Sequence, residues 1–308
     1  MKWLSLALLV LGSMICLSEA LSMDRIKEHF PGPRRRRMVG GIMATTPVPW
    51  QAMVFLSDNI LDGGFAGGAL IAPRWVLTAG RNLFVRKFQE HTKGKEPLIP
   101  KVYLGIFRRA DASNATEVAV EKVFLHPGFQ NTSDWDNDLA LIQLKEPVTF
   151  SDSVFPIPLP ERDENMAERA GEWGIISGWG WGALFTQAET LKFLYLRVVE
   201  CQGQYSSKFT RNTPYVDNNM FCTEPGHSVE NVCSGDAGGA LAFLDHKSKR
   251  VYAGGILSFD KACNVMDKAV YMKVSAYLPW IHSVMRGDTD KFSSLRTSVM
   301  TEMFSRYV

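Results

Sequence analysis

Between residues 38 and 285 the apolar side chains fall into short extended runs, and that spacing restricts the chain to a β architecture. Residues 69–78, 118–125, 139–144, 190–199 and 251–258 are rich in Val, Ile, Leu, Phe and Tyr. They are bounded by Gly, Pro, Asn or Asp, the residues that end strands and make turns. Only at residues 276–285 does the pattern change, where Leu278, Ile281, Val284 and Met285 repeat at helical spacing. Many short strands followed by one terminal helix predict an all-β double barrel or sandwich. The length of 308 residues suits one large two-lobed domain or two small ones. With 46% hydrophobic and 21% charged residues, the chain can build a real core, which excludes disorder, collagen and coiled coil.

The flanks carry different signals. Lys2 precedes a short apolar run over residues 3–17, and Ser18-Glu19-Ala20 supplies small residues at cleavage-determining positions. This pattern predicts a secretory signal over residues 1–20 and a secreted, extracellular protein. No other run approaches the roughly 18 to 20 apolar residues that span a bilayer, so no membrane association is expected. Residues 21–37 are polar and end in Arg34-Arg35-Arg36-Arg37. Four adjacent cations repel one another and stay exposed. Such a cluster is a site for a secretory-pathway protease, with the cut between Arg37 and Met38. Residues 21–37 then become a short propeptide or light-chain stub. The domain proper is assigned to residues 38–286 and a more polar tail to 287–308, in which Leu295, Val299, Met300 and Phe304 offer a short amphipathic stretch.

The whole chain has 34 Lys and Arg against 32 Asp and Glu, net +2. Residues 1–37 carry seven of the basic and three of the acidic residues, so the processed chain has 27 against 29, net −2. Neither value gives the basic footprint that nucleic acid requires. Of the five cysteines, Cys16 leaves with the signal. The remaining four, Cys201, Cys222, Cys233 and Cys263, are an even set in a secreted chain and imply disulfides, with three pairings open. Their spacings of 21, 11 and 30 residues contain no Cys-x-x-Cys pair, so zinc is disfavoured, and no metal or cofactor is expected. Two sequons, Asn114-Ala115-Thr116 and Asn131-Thr132-Ser133, lie in polar stretches and predict glycans at Asn114 and Asn131.

Four motifs carry the remaining information. They are residues 71–82, containing Thr78-Ala79-Gly80-Arg81-Asn82; Asp136-Asn137-Asp138-Leu139-Ala140-Leu141; Cys233-Ser234-Gly235-Asp236-Ala237-Gly238-Gly239; and Gly255-Ile256-Leu257-Ser258-Phe259. In this order, behind Met38-Val39-Gly40-Gly41, they resemble the trypsin-like serine protease family from residue 38 to about 285. The resemblance implies two six-stranded antiparallel β-barrels with a C-terminal helix. It also exposes departures. The family's base histidine is replaced by Arg81 and its nucleophilic serine by Ala237, while the aspartate remains as Asp138. A methyl group cannot attack a carbonyl, and a guanidinium has no acceptor lone pair with which to take a proton. No enzymatic activity is therefore expected. Asn231 stands at the base of the former specificity pocket, and it is uncharged. Of the remaining histidines, His126 in Leu-His-Pro-Gly-Phe is read as structural.

The resemblance further implies a salt bridge between the new N-terminus at Met38 and Asp236, and disulfides Cys201–Cys222 and Cys233–Cys263. Ala66 and Asn82 stand where the bridge beside the catalytic histidine would be. Within the family, Thr78-Ala79-Gly80-Arg81-Asn82-Leu83-Phe84, the Gly235-Asp236-Ala237-Gly238 block and the stretch from Gly255 to Cys263 are most similar to the inactive haptoglobin branch. That implies a hemoglobin αβ dimer as partner. Residues 21–37 are too short for the complement-control modules of that branch. Pro156-Ile157-Pro158-Leu159-Pro160 also lacks its interchain cysteine, so a monomer without an interchain disulfide is expected. The alternative is a secreted pseudoprotease acting as a receptor ligand or antimicrobial protein. A net charge of −2 counts against killing through a cationic surface.

Overall fold

The computed structural model describes residues 41–56, 64–83, 99–114, 116–129, 136–161, 169–181, 188–201, 216–226, 231–245, 248–259 and 268–287. Two β-sheets carry the fold, each of seven strands. The first is built from β2 (Gln51–Phe55), β3 (Phe65–Ala72), β4 (Trp75–Thr78), β5 (Lys101–Leu104), β6 (Glu117–Val118), β7 (Val120–Leu125) and β8 (Ala140–Leu144), in the order β6-β5-β2-β3-β4-β8-β7. Its end strands β6 and β7 are separated only by Ala119, so one bent strand pairs with both β5 and β8 and draws the sheet into a barrel of six. The second sheet holds β1 (Ile42–Met43), β9 (Trp173–Gly178), β10 (Lys192–Val199), β11 (Met220–Glu224), β12 (Ala240–Leu244), β13 (Val251–Phe259) and β14 (Ala269–Lys273). Here β10 pairs with β9 as well as with β11, which closes six strands into a barrel, and β1 is added on β10. All these pairings are antiparallel. Helix α1 (Val274–Met285) follows.

The expected all-β double barrel is therefore the observed one, with two refinements. Residues 69–78, one apolar run in the sequence, are the hairpin β3–β4, because the Pro73-Arg74 turn interrupts it. The helix begins at Val274 rather than at residue 276, and Tyr277, Trp280, Ile281 and Val284 are its buried apolar stripe.

Alternation along the strands explains the second barrel's core. On β10, Leu194, Leu196 and Val198 are buried, while Arg197 on the opposite face is exposed. The inward set joins Ile176, Phe221, Leu241, Phe243, Leu257 and Tyr271, with Phe221 stacked on Tyr271 at 5.1 Å between ring centroids. Burying each such aliphatic or aromatic side chain contributes about 1.5–3 kcal/mol.

The two barrels meet through backbone. A Cβ on Gly67 of β3 would come within 2.7 Å of the Gly239 nitrogen, so only glycine allows this approach. Across the joint the Gly67 N–H donates to the Ala237 carbonyl at 2.9 Å. The connection between barrels is laced to both, with Ile157 N–H donating to Leu70 O and Ala253 N–H to Pro158 O, each at 2.9 Å. Among the described residues no helix is long and apolar enough to cross a membrane.

Candidate functional site

The joint between the barrels holds the residues singled out by the motifs. Arg81 sits on a short 3-10 turn, Gly80–Leu83, directly after β4. Asp138 precedes β8 and is fully buried. Its orientation is set by Asn137, whose φ of 50° lies in the left-handed region that asparagine tolerates better than most residues. The Asn137 amide donates to Gly128 O at 3.0 Å and fixes that turn. Ser258 comes from β13 of the other barrel and is 1% exposed.

These three side chains form a closed triangle. Asp138 Oδ1 accepts the Arg81 backbone N–H at 2.7 Å, and Oδ2 accepts Arg81 Nε at 2.5 Å. Ser258 Oγ donates to the same Oδ2 at 2.7 Å and accepts from Arg81 Nη2 at 2.9 Å. The arrangement pairs a buried carboxylate with a cation. Every nitrogen of a guanidinium is a donor or delocalised into the cation, so Arg81 cannot withdraw a proton from a neighbour.

Ala237 lies beside this triangle and is 3% exposed. Its carbonyl accepts from Asn82 Nδ2 and from Gly67 N–H, each at 2.9 Å. Thr78 Oγ1 in turn donates to Gly67 O at 2.7 Å and lies 3.3 Å from Asn82 Nδ2. Gly238 has φ of 91°, and a Cβ there would lie 2.2 Å from Thr78 Oγ1. The turn bearing Ala237 is thus held from the first barrel by Asn82, at a position where the resemblance places a cysteine. Asn231 is 2% exposed, and its side-chain carbonyl accepts the N–H of Val232 at 2.9 Å.

Asp236 is 2% exposed; Oδ1 accepts Gly180 N–H at 2.7 Å and Oδ2 accepts Cys233 N–H at 3.0 Å. Its expected partner Met38 lies outside the described residues, as do Arg37 and Asn131. Asn114 is exposed on a turn. Cys201 and Cys222 are joined in a disulfide. Cys233 is also disulfide-bonded, while Cys263, its expected partner, lies outside the described residues. His126 packs its ring against Tyr277 and Trp280 and accepts the Gly128 N–H on Nδ1 at 3.1 Å. Among the described residues no group of three or more His, Cys, Asp or Glu is placed to hold a metal.

The motifs singled out Arg81, Asp138 and Ala237 and contained Ser258 without giving it a role. Its role in closing the triangle depends on a contact 177 residues away in the chain, for which no local signal exists.

Comparison with known proteins agrees with this fold. Residues 38–281 match the family model described as Trypsin. The chain is similar to haptoglobin of Oryctolagus cuniculus, at 32% identity over 273 residues, covering 84% of this chain and 73% of that protein. It is likewise similar to haptoglobin of Canis lupus familiaris, at 33% over 267 residues, covering 82% and 75%. Haptoglobin of Homo sapiens is 32% identical over 267 residues, covering 82% of this chain and 61% of that protein.

Proposed function

The chain belongs to the trypsin family, within its haptoglobin branch, and from that premise we propose that it is a secreted, catalytically inactive scavenger of free hemoglobin αβ dimers. The observation that carries this reading is the similarity to haptoglobins across 84% of the chain. Capturing the dimer would limit oxidation and loss of heme iron in plasma. Residues 1–20 are the signal, 21–37 the stub released after Arg37, 38–286 the pseudoprotease domain and 287–308 a tail. Asn114 and Asn131 carry glycans, and Met38 pairs with Asp236 once the chain is cut.

Inactivity follows from the chemistry of the joint. Acyl transfer needs a nucleophile, a base and a group that orients the base. Ala237 supplies no nucleophile and Arg81 no base. The purified chain is expected to hydrolyse no peptide ester or amide above background, and Ala237→Ser is expected to remain inactive while Arg81 stays. Clear turnover by that single variant in an ester assay would refute the assignment.

Binding is tested by size-exclusion chromatography of the processed chain with hemoglobin, read at 280 nm and in the Soret band. The expected result is co-elution at the mass of one chain plus one αβ dimer, with no Soret absorbance from the chain alone. Such an interface buries more than about 1,200 Å² in total and draws the tetramer apart by mass action. Separate elution at micromolar concentration overturns the scavenger reading and leaves a receptor-ligand pseudoprotease.

A further inference from the structure

The turn that bears Asp138 is clasped to a second turn in which a histidine ring is the acceptor. His126 follows β7 and packs edge-on against Tyr277 at 5.2 Å and Trp280 at 4.9 Å, both on α1. Its Nδ1 accepts the Gly128 N–H at 3.1 Å. Gly128 O in turn accepts the Asn137 amide at 3.0 Å, and a Cβ on Gly128 would fall 2.9 Å from that amide nitrogen. The backbone closes the same clasp, with the His126 N–H donating to Leu139 O at 3.0 Å and the Leu139 N–H to Asn137 O at 2.7 Å. Asp138 lies between Asn137 and Leu139, so the clasp sets the carboxylate that accepts the Arg81 N–H at 2.7 Å.

A neutral histidine that accepts on Nδ1 carries its one proton on Nε2. A second proton turns Nδ1 into a donor, and the bond from the Gly128 N–H is lost. Protonation and the clasp therefore exclude each other at one atom. The surroundings act in the same sense: burial lowers the ring's pKa to about 4, against the charge of Asp136, which raises it. On α1 the titratable group packed against the ring is Tyr277, whose phenol is held neutral by burial and by the charges of Asp217, Asp136 and Asp138. We propose that His126 is a proton-operated latch on the joint between the barrels, a positioning residue that holds Asp138 through Gly128 and Asn137 while neutral and frees that turn when protonated. The joint of Arg81, Asp138 and Ser258 is then closed at neutral pH and opens in acid.

Hydrogen exchange of the Arg81 amide in the full chain, corrected for the intrinsic pH dependence of exchange, tests the latch. In an open turn the ring titrates near its ordinary 6.5 and in the closed turn near 4, so lowering the pH from 7 to 4.5 is expected to accelerate this amide by about fiftyfold. An aspartate of ordinary pKa, about 3.9, changes the opening equilibrium by less than about twofold at that pH, so carboxylates do not imitate the effect. The Gly180 amide, which donates to Asp236 in the second barrel, is expected to change by less than about threefold. His126→Phe is expected to bring the Arg81 response below about threefold as well. Asn137→Gly keeps a residue suited to the φ of 50° and removes the amide. In that variant the Gly128 amide is expected to keep its acid response while the Arg81 amide loses it. A flat Arg81 response in the natural chain overturns the proposal. So does an acceleration that persists in His126→Phe, or one that Gly180 shares in full, which is opening of the whole domain. If His126→Phe is not secreted, Asn137→Gly decides: loss of the Arg81 response supports the latch, and its persistence overturns it.

Discussion

Arg81→Met is expected to lower the stability of the domain by about 3–5 kcal/mol, because it leaves Asp138 buried without its cation. The carboxylate is fully buried and would keep only the Arg81 backbone N–H and the Ser258 hydroxyl as donors. Arg81 itself is 21% exposed in its side chain, so some solvent reaches the pair and the lower end of that range is expected. For a domain of this size the loss corresponds to a fall in Tm of roughly 6–12 °C. The double variant Arg81→Met with Asp138→Asn removes the orphaned charge and is expected to recover a large part of the loss. Thermal melts of parent, both single variants and the double variant close a mutant cycle. A single-variant loss below about 1 kcal/mol, the size of an ordinary surface ion pair, would show that the triangle contributes little.

That outcome bears on what Asp138 does at the joint. Ser258 belongs to the second barrel, while Arg81 and Asp138 belong to the first, so the triangle ties the barrels at the former cleft. The Gly67 to Ala237 and Asn82 to Ala237 hydrogen bonds tie them a second time. An ordinary histidine at position 81 would keep one ring nitrogen for Asp138 and offer the other to a reacting serine. Arginine instead spends its donors on Asp138 and Ser258. Arg81 thereby makes this contact a fixed joint between the barrels.

The sequence exposed this site unevenly, for physical reasons. Arg81 and Ala237 were legible because they interrupt motifs that are otherwise recognisable, and side-chain chemistry alone then excludes a base and a nucleophile at those two positions. The strands β4, β7, β8, β10 and β13 were legible because each is a run of β-branched, aliphatic and aromatic residues between turn formers. By contrast β1, with two residues, and β6, also with two, are too short to carry a periodic signal. Gly67 is uninformative as a letter, and Gly239 reads only as the end of a motif; what the sequence hides is the 2.7 Å approach that a Cβ on Gly67 would make to the Gly239 backbone.

Acid is expected to loosen the domain through His126. The ring packs edge-on at 5.2 Å from Tyr277 and 4.9 Å from Trp280, so it joins the turn after β7 to helix α1. Nδ1 accepts the Gly128 N–H, which leaves the proton of the neutral ring on Nε2. Burial pushes the pKa down from 6.5 to about 4, and the charge of Asp136 opposes that shift only in part. The folded pKa is therefore below the unfolded one. Above pH about 6.5 both states hold a neutral ring and the contribution to stability is full. As pH falls from there toward 4 the unfolded chain takes up a proton that the folded chain refuses, so stability declines; below pH about 4 both states are protonated and the decline stops. A shift of this size corresponds to about 3 kcal/mol. His126→Phe keeps the aromatic packing and removes the titration, while losing the Gly128 hydrogen bond at a cost of about 1 kcal/mol. Urea unfolding at pH 7, 5.5 and 4 should then show the variant weaker than its parent at pH 7, with a pH 7 to 4 stability loss smaller by about 2–3 kcal/mol. Parallel pH dependence in parent and variant would remove His126 from the acid response and assign it to the carboxylates instead.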